Sequence, residues 1–376
     1  MRLEPPVPEA ALAAIRAPLA AAGARSVEVG VMAPLALLLD LAGEAMRPRL
    51  FVVQAEGGEE LALRPDFTIP VARAHLDSGA AAGRYAYEGK AFRAAPAGSG
   101  RAEEFLQLGV EIFGGDDRAA ADAEVAALAW ASASAGGRDD LTLTFGDVAL
   151  FAAFTDSLAL APALAARLKR LFNRPRLLQV ELDRADAPPT EEAAGLVNPL
   201  EGVPAAQAET ALRQLWALAG IEPVGGRPAG EIVRRLGERA LASRTPPLTP
   251  AEAAAVRGFL AVSGPPEQAL TRVRALAGPA TDALDAALEG WSRRLAALAG
   301  LGVPTDRLTL TAAFGRAFGY YDGVLFEIRS AALGEARPVA AGGRYDGLPA
   351  RLGAAGSGGA VGCMVRPARA FLGGVE

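Results

Sequence analysis

Residues 87–114 read YEGKAFRAAPAGSGRAEEFLQLGVEIFG. Both ends of the stretch are rich in aromatic and aliphatic residues, and the middle is a run of Ala, Pro, Gly and Ser. That is the composition of two strands joined by a long hairpin connection. The spacing predicts strands over 84–93 and 104–113, linked by AAPAGSGRAE. Side chains alternate between the faces of a strand. Leu106, Leu108, Val110 and Ile112 therefore form one wholly apolar face, while Phe105, Gln107, Gly109, Glu111 and Phe113 share the other. Gln107 and Glu111 flank a glycine, which sets an amide and a carboxylate on either side of bare backbone. Such a floor can hold a small polar ligand; a half-solvated outer face gives the same pattern. Arg93 closes the first strand with a planar fork suited to a carboxylate.

Working outward, a helix is expected over 8–22 and a strand over 26–32 that Pro34 stops. Two strands at 50–54 and 60–64 surround Gly57-Gly58, a hairpin signal. A helix over 117–135 and a strand over 141–145 follow. The pattern then turns mostly helical to about residue 300, with proline and glycine clusters at 188–189, 223–230, 246–250 and 264–266. Thr249-Pro250-Ala251-Glu252 has the cap, N1 proline and acid of a helix start, and 281–298 reads as an amphipathic helix. Strand character returns at 307–313, 324–329, 338–341 and 359–365. The simplest architecture is an α+β fold: an antiparallel sheet flanked by helices and built from both ends of the chain, residues 1–150 and 301–376, with a helical domain over 151–300 inserted between.

Composition narrows the function. A chain of 376 residues, 51% hydrophobic and 22% charged, supplies more than one ordinary core. The net charge of −5 shows no basic footprint for nucleic acid. One cysteine, Cys363, and one histidine, His75, leave no intramolecular disulfide and little basis for a zinc site or a Ser-His-Asp triad. The N-terminus MRLEPPVPEA has acids and prolines where a secretion signal needs an apolar core. The apolar run 32–41 is broken by Pro34 and ends at Asp40, too short to span a bilayer. A cytoplasmic chain without metal or cofactor is expected.

Asp66 and Thr68 sit at a strand-to-helix junction, where short polar side chains cap helices. Together with Arg93, Gln107 and Glu111 they also supply what a free amino acid needs, acids and acceptors for its ammonium and an arginine for its carboxylate. FGRAFGYYDG at 314–323 adds Arg316, Tyr320 and Tyr321 around a glycine-punctuated turn. AGGRYDGL at 341–348, with Tyr345, lacks both the Lys-Ser/Thr of a P-loop and the spacing of a dinucleotide site, so a tight turn accounts for its glycines.

LRPDFTIPVAR at 63–73, the 87–114 hairpin, GRAFGYYDGVLFE at 315–327 and AGGRYDGL at 341–348 occur in the order and spacing of histidyl-tRNA synthetase catalytic domains. Over residues 8–150 and 305–370 the chain resembles that class II synthetase family. It is most similar to the paralogous family of regulatory subunits of ATP phosphoribosyltransferase. The resemblance implies a pocket for L-histidine. In it Asp66, Thr68 and Gln107 lie on the ammonium side, Arg93 and Arg316 near the carboxylate, Glu111 and Tyr321 on the imidazole nitrogens, and Tyr345 in the wall, with Tyr320 also among the histidine-binding residues. It implies Pro34 at the dimer interface, and a short-form catalytic subunit as partner in a hetero-octamer acting in histidine biosynthesis under feedback by histidine.

The departures from the synthetase pattern fall on the ATP side. Ala95 stands where the family has an acid, and Glu103 where it has a cation. An anion beside a triphosphate reverses the sign of the interaction. The Gly-Leu-Glu-Arg of motif 3 reads Arg366-Pro367-Ala368-Arg369, and the chain ends at Glu376 with no anticodon-binding domain. Together these predict a non-catalytic regulatory subunit that does not bind tRNA. The alternative, supported by Arg316 and Arg101, is a truncated synthetase-like enzyme that activates an amino acid with ATP.

Overall fold

The computed structural model describes residues 1–186, 204–219, 229–230, 233, 247–315, 318–354 and 358–374. Its strands are β1 (Arg25–Ser26), β2 (Met32–Pro34), β3 (Val52–Gln54), β4 (Glu60–Leu63), β5 (Gly83–Phe92), β6 (Glu104–Phe113), β7 (Leu141–Asp147), β8 (Ser263–Gly264), β9 (Leu308–Thr311), β10 (Val324–Ser330), β11 (Ala340–Arg344) and β12 (Ala360–Val365). Nine of them form one sheet in the order β1-β5-β6-β12-β11-β10-β7-β9-β8. From β5 to β7 every neighbour is antiparallel; β1 joins β5 and β9 joins β7 in parallel. The sheet interleaves the two ends of the chain, since β6 pairs with β12.

The long hairpin forms as its alternation predicts, with Tyr87 opposite Gly109 and Gly89 opposite Gln107. The expected hairpin around Gly57-Gly58 pairs β3 with β4, and β2 adds to make a separate three-stranded sheet. Both turn glycines have positive φ, +106° and +86°, a region that residues with a β-carbon avoid. The single strand expected over 26–32 is instead two. β1 pairs with β5 and β2 with β4, because the chain leaves one sheet and joins the other. Pro34 ends β2 and stands at the N-cap of the following helix.

The helices begin with α1 (Glu9–Ala20), α2 (Leu35–Ala42), α3 (Thr68–Asp77) and α4 (Arg118–Ser134). Asp117 caps α4 by accepting from the Ala120 amide at 3.0 Å. Its buried face is mostly small (Ala119, Ala123, Ala126, Ala129, Ala133), which lets the helix lie close to the sheet. Next come α5 (Val148–Ser157), α6 (Pro162–Leu171), α7 (Pro175–Asp183), α8 (Ala205–Leu218), α9 (Pro250–Leu260), α10 (Pro266–Leu276), α11 (Asp282–Gly300), α12 (Gly347–Arg351) and α13 (Pro367–Ala370). The capping box at α9 is complete. The Thr249 amide donates to Glu252 at 2.7 Å and the Glu252 amide to Thr249 Oγ1 at 3.3 Å.

The chain divides into two units, 1–157 with 258–376, and 158–257. The inserted unit is thus shorter than the expected 151–300. α11 belongs with the sheet because Trp291 Nε1 donates to Asp147 Oδ2 at 2.8 Å and Arg294 pairs with Asp122 of α4. In the second unit α6 and α7 bury Leu164, Leu168, Leu178 and Leu182, and Glu181 accepts from Arg167 and Arg184. The clusters expected at 188–189, at 223–228 and at 246 lie outside the described residues. Among the described residues no helix is long and apolar enough to cross a membrane.

Candidate functional site

β6 carries Glu111 into the interior, 1% exposed, opposite Gly362 of β12. A β-carbon at 362 would overlap the Glu111 carboxylate, so the glycine makes the room in which that group sits. Thr68 Oγ1 donates to Oε1 at 2.9 Å and Tyr345 Oη donates to Oε2. Burial pushes the Glu111 carboxyl up to about 8; the bonds from Tyr345 and Thr68 oppose the shift and the Asp66 charge adds to it. The same burial, with Glu111 alongside, holds the Tyr345 and Tyr87 hydroxyls well above the usual phenol value.

Asp66 and Thr68 do not cap α3. Phe67 takes the N-cap position and no side chain bonds there. Thr68 spends its hydroxyl on Glu111, and Asp66 Oδ2 accepts from Tyr320 Oη at 2.9 Å. Tyr320 packs on Tyr321, with ring centroids 4.7 Å apart, and Tyr345 meets both rings edge-on at 5.9 and 6.4 Å. Arg93 Nε donates to the Pro65 carbonyl at 2.8 Å, and its guanidinium lies 5.1 Å from the Phe318 ring centroid.

Asp66, Thr68, Arg93, Glu111, Tyr320 and Tyr321 thus converge on one cavity of about 10 Å³, the space of a single water. Tyr345 stands behind Glu111. Gln107 is fully buried on the same strand face but is not on the cavity wall; neither its amide oxygen nor its nitrogen has a hydrogen-bond partner among the described residues. Arg316 lies outside the described residues.

Tyr87, Phe318, Gly362, Cys363 and Met364 also line the cavity, and sequence reasoning missed them. The bare backbone expected at Gly109 is not a ligand floor. Tyr87 crosses it from β5, donates to the Cys363 carbonyl at 3.1 Å and stacks on Phe67 at 4.4 Å. A β-carbon at 109 would collide with both Tyr87 and that carbonyl. The signal was the placement of Tyr87 opposite Gly109, which follows from hairpin register.

The other end of the hairpin is filled by the chain itself. Glu103 accepts from the Arg2 amide at 3.0 Å and the Ala95 amide at 3.4 Å. The Arg2 carbonyl accepts from the Glu103 and Glu104 amides, and the Glu4 amide donates to the Glu104 carbonyl. The buried Glu4 carboxylate accepts from the Leu106 amide at 3.2 Å and pairs with Arg366, whose guanidinium lies 3.9 Å over the Phe105 ring. Arg369, the arginine that motif 3 retains, donates to the Pro338 carbonyl at 3.1 Å.

A sheet built from both chain ends, with a polar pocket on its long hairpin, defines a class II synthetase-like core. The family model described as Histidyl-tRNA synthetase matches residues 8–224 and 213–367. The ATP phosphoribosyltransferase regulatory subunit of Mesorhizobium japonicum is 39% identical over 345 residues, 89% of each chain. That of Chelativorans sp. is 38% identical over 333 residues, 87% of each. The chain belongs to the histidyl-tRNA synthetase family and, within it, to the ATP phosphoribosyltransferase regulatory subunits. Two solved structures share the fold. An ATP phosphoribosyltransferase regulatory subunit/histidyl-tRNA synthetase from Bacillus halodurans has a TM-score of 0.68 at 21% identity, covering 100% of this chain and 83% of that one. Histidyl-tRNA synthetase from Nostoc sp. PCC 7120 has a TM-score of 0.58 at 17% identity, covering 96% and 70%.

Proposed function

We propose that this chain is a non-catalytic, cytoplasmic regulatory subunit that binds L-histidine in the Glu111 pocket. It activates a short-form ATP phosphoribosyltransferase catalytic subunit and passes on feedback by histidine. The observation that carries the reading is the contrast between the two halves of one hairpin. On one side Asp66, Thr68, Glu111 and Arg93 face a shared cavity. On the other, Arg366 covers Phe105 and the N-terminal residues bond along 103–106. An amino acid has groups to meet; a nucleotide finds an anion at Glu103 and an occupied aromatic face.

In the pocket Glu111 and Tyr321 would take the imidazole nitrogens, Asp66, Thr68 and Gln107 the ammonium, and Arg93 and Arg316 the carboxylate, with Tyr320 and Tyr345 as walls. The cavity is far smaller than a histidine, so binding selects a more open arrangement of the tyrosines. The small sheet beside Pro34 exposes Val31, Met32, Val52 and Val53, an apolar patch suited to the homodimer within a hetero-octamer. Co-purification with a short-form catalytic subunit, with its activity measured with and without this chain, tests the reading. Association and a raised rate are expected; neither association nor a change in rate defeats it. Robust ATP–pyrophosphate exchange by the isolated chain with histidine would instead establish an activating enzyme.

A further inference from the structure

Arg344 and Tyr345 are neighbours at the end of β11 and lie against opposite faces of the sheet. Tyr345 meets Glu111 on the pocket side, and Arg344 meets α4 on the helix side. There the buried Asp122 carboxylate is shared. Oδ1 accepts from Arg344 Nε at 2.8 Å, and Oδ2 accepts from Arg294 Nε and Nη2 at 3.0 and 2.7 Å. Arg344 continues to Asp346 Oδ1 at 2.8 Å and to the Arg118 carbonyl at 3.1 Å. The Asp346 and Gly347 amides donate to the Asp322 carboxylate at 3.0 and 2.6 Å, and the Asp322 amide returns to the Arg344 carbonyl at 3.1 Å. Asp322 directly follows Tyr320 and Tyr321. A continuous set of hydrogen bonds, ion-paired at Asp122 and running through the main chain at Asp322, therefore leads from α11 through α4 to both loops that carry the pocket tyrosines.

We propose that the Asp122–Arg294–Arg344 cluster is a positioning device that sets Tyr321 and Tyr345, so that the position of α11 governs ligand affinity. The proposal rests on the amino-acid pocket reading above. Arg294 makes no contact with the cavity; it acts through Asp122 and Arg344. A buried carboxylate with two guanidinium partners has few alternative arrangements; the Tyr345 loop is tied to the Arg344 guanidinium through Asp346, and the Tyr321 loop to the main chain of residues 344, 346 and 347 through Asp322.

Paired substitution tests this without stranding a buried charge. Asp122→Leu with Arg294→Met removes the two ion pairs of Asp122, to Arg294 and to Arg344, and leaves Arg344 on Asp346. Histidine affinity is measured by calorimetry on the full chain, beside Arg294→Lys and Glu111→Gln. Hydrogen exchange of peptides covering 320–327 and 341–348 is followed without ligand. The paired variant is expected to bind histidine about tenfold more weakly and to exchange faster in both peptides, while Arg294→Lys stays within about twofold of the parent. Unchanged affinity and unchanged exchange in a folded paired variant overturn the proposal. Should that variant fail to fold, Arg294→Gln keeps Asp122 on Arg344. Weaker binding and faster exchange in Arg294→Gln then support the proposal, and parental values of both overturn it. If the parent chain binds no histidine, the pocket reading fails, and the exchange data alone decide whether the cluster sets the tyrosine loops.

Discussion

The Glu111 carboxylate occupies the space that the β-carbon of residue 362 would fill on the neighbouring strand. The two residues are directly opposed in the β6–β12 ladder, so the acid can turn inward only over a glycine. Gly362→Ala should displace the carboxylate from Thr68 and Tyr345. Overpacking of this kind destabilises by about 1–3 kcal/mol, and histidine affinity should fall at least about tenfold with it, because a charged or polar partner is misplaced. Calorimetry and thermal melting check both. Retained affinity in Gly362→Ala, or in Glu111→Ala, would remove Glu111 from the recognition set.

Stability should fall as pH rises from mildly acidic to mildly alkaline. The Glu111 carboxyl is raised from 4.5 to about 8, so the folded chain keeps a proton that the unfolded chain releases. Its contribution is complete below the unfolded value and is lost as pH climbs through the folded one, with a slope of up to about 1.4 kcal/mol per pH unit between. Asp147 and Asp322, also raised by burial, act in the same sense. His75, lowered by burial and then by Arg25, works the other way at the acid end. Urea unfolding across this range should show a shallower slope for Glu111→Gln than for the parent chain. Identical slopes would place the proton elsewhere.

Glu4→Ala should be among the most damaging changes near the N-terminus. It removes the carboxylate that both Arg366 and the Leu106 amide use, inside a site where Arg366 is 4% exposed. Breaking a buried pair from one side costs about 3–5 kcal/mol. Glu4→Ala with Arg366→Met should recover most of the loss. A double-mutant cycle on the unfolding free energy measures it, and additive losses would show that the two residues do not act as a pair.

Tyr320→Phe deletes the donor to Asp66, which on the proposed assignment competes there with the ligand ammonium. One net hydrogen bond of about 1 kcal/mol holding the closed arrangement corresponds to roughly a fivefold factor in its population. Stopped-flow mixing with histidine should therefore show faster association in the variant, by about that factor. Slower or weaker binding would mean that the hydroxyl serves the ligand rather than the closed state.

Local patterns were legible wherever the partner was near in sequence. The β5–β6 hairpin followed from its alternation, and the Thr249–Glu252 capping box from a three-residue spacing, because short-range geometry determines both. Partners distant in sequence were not legible. Thr68 looks like a cap until Glu111 is brought to it across 43 positions. Gly109 looks like open floor until Tyr87 is laid over it. α11 reads as one more amphipathic helix, and its place with the sheet depends on Trp291 and Arg294, buried polar anchors whose acceptors lie 144 and 172 positions away. The pocket residues emerged from motif resemblance, but the smallness of the cavity they enclose is a property of packing that no motif carries.

Cys363 reaches that cavity only with its backbone: it pairs with Val110, not Glu111, so its side chain points to the helix side of the sheet, where burial pushes the thiol up to about 12. It is the chain's one cysteine, so the native protein holds a single sulfhydryl that is chemically silent while α4 is packed on the sheet and becomes reachable when that layer opens. The rate at which a small alkylating reagent consumes it is a clock on separation of the helix layer from the sheet, readable by mass spectrometry in unlabelled wild-type protein.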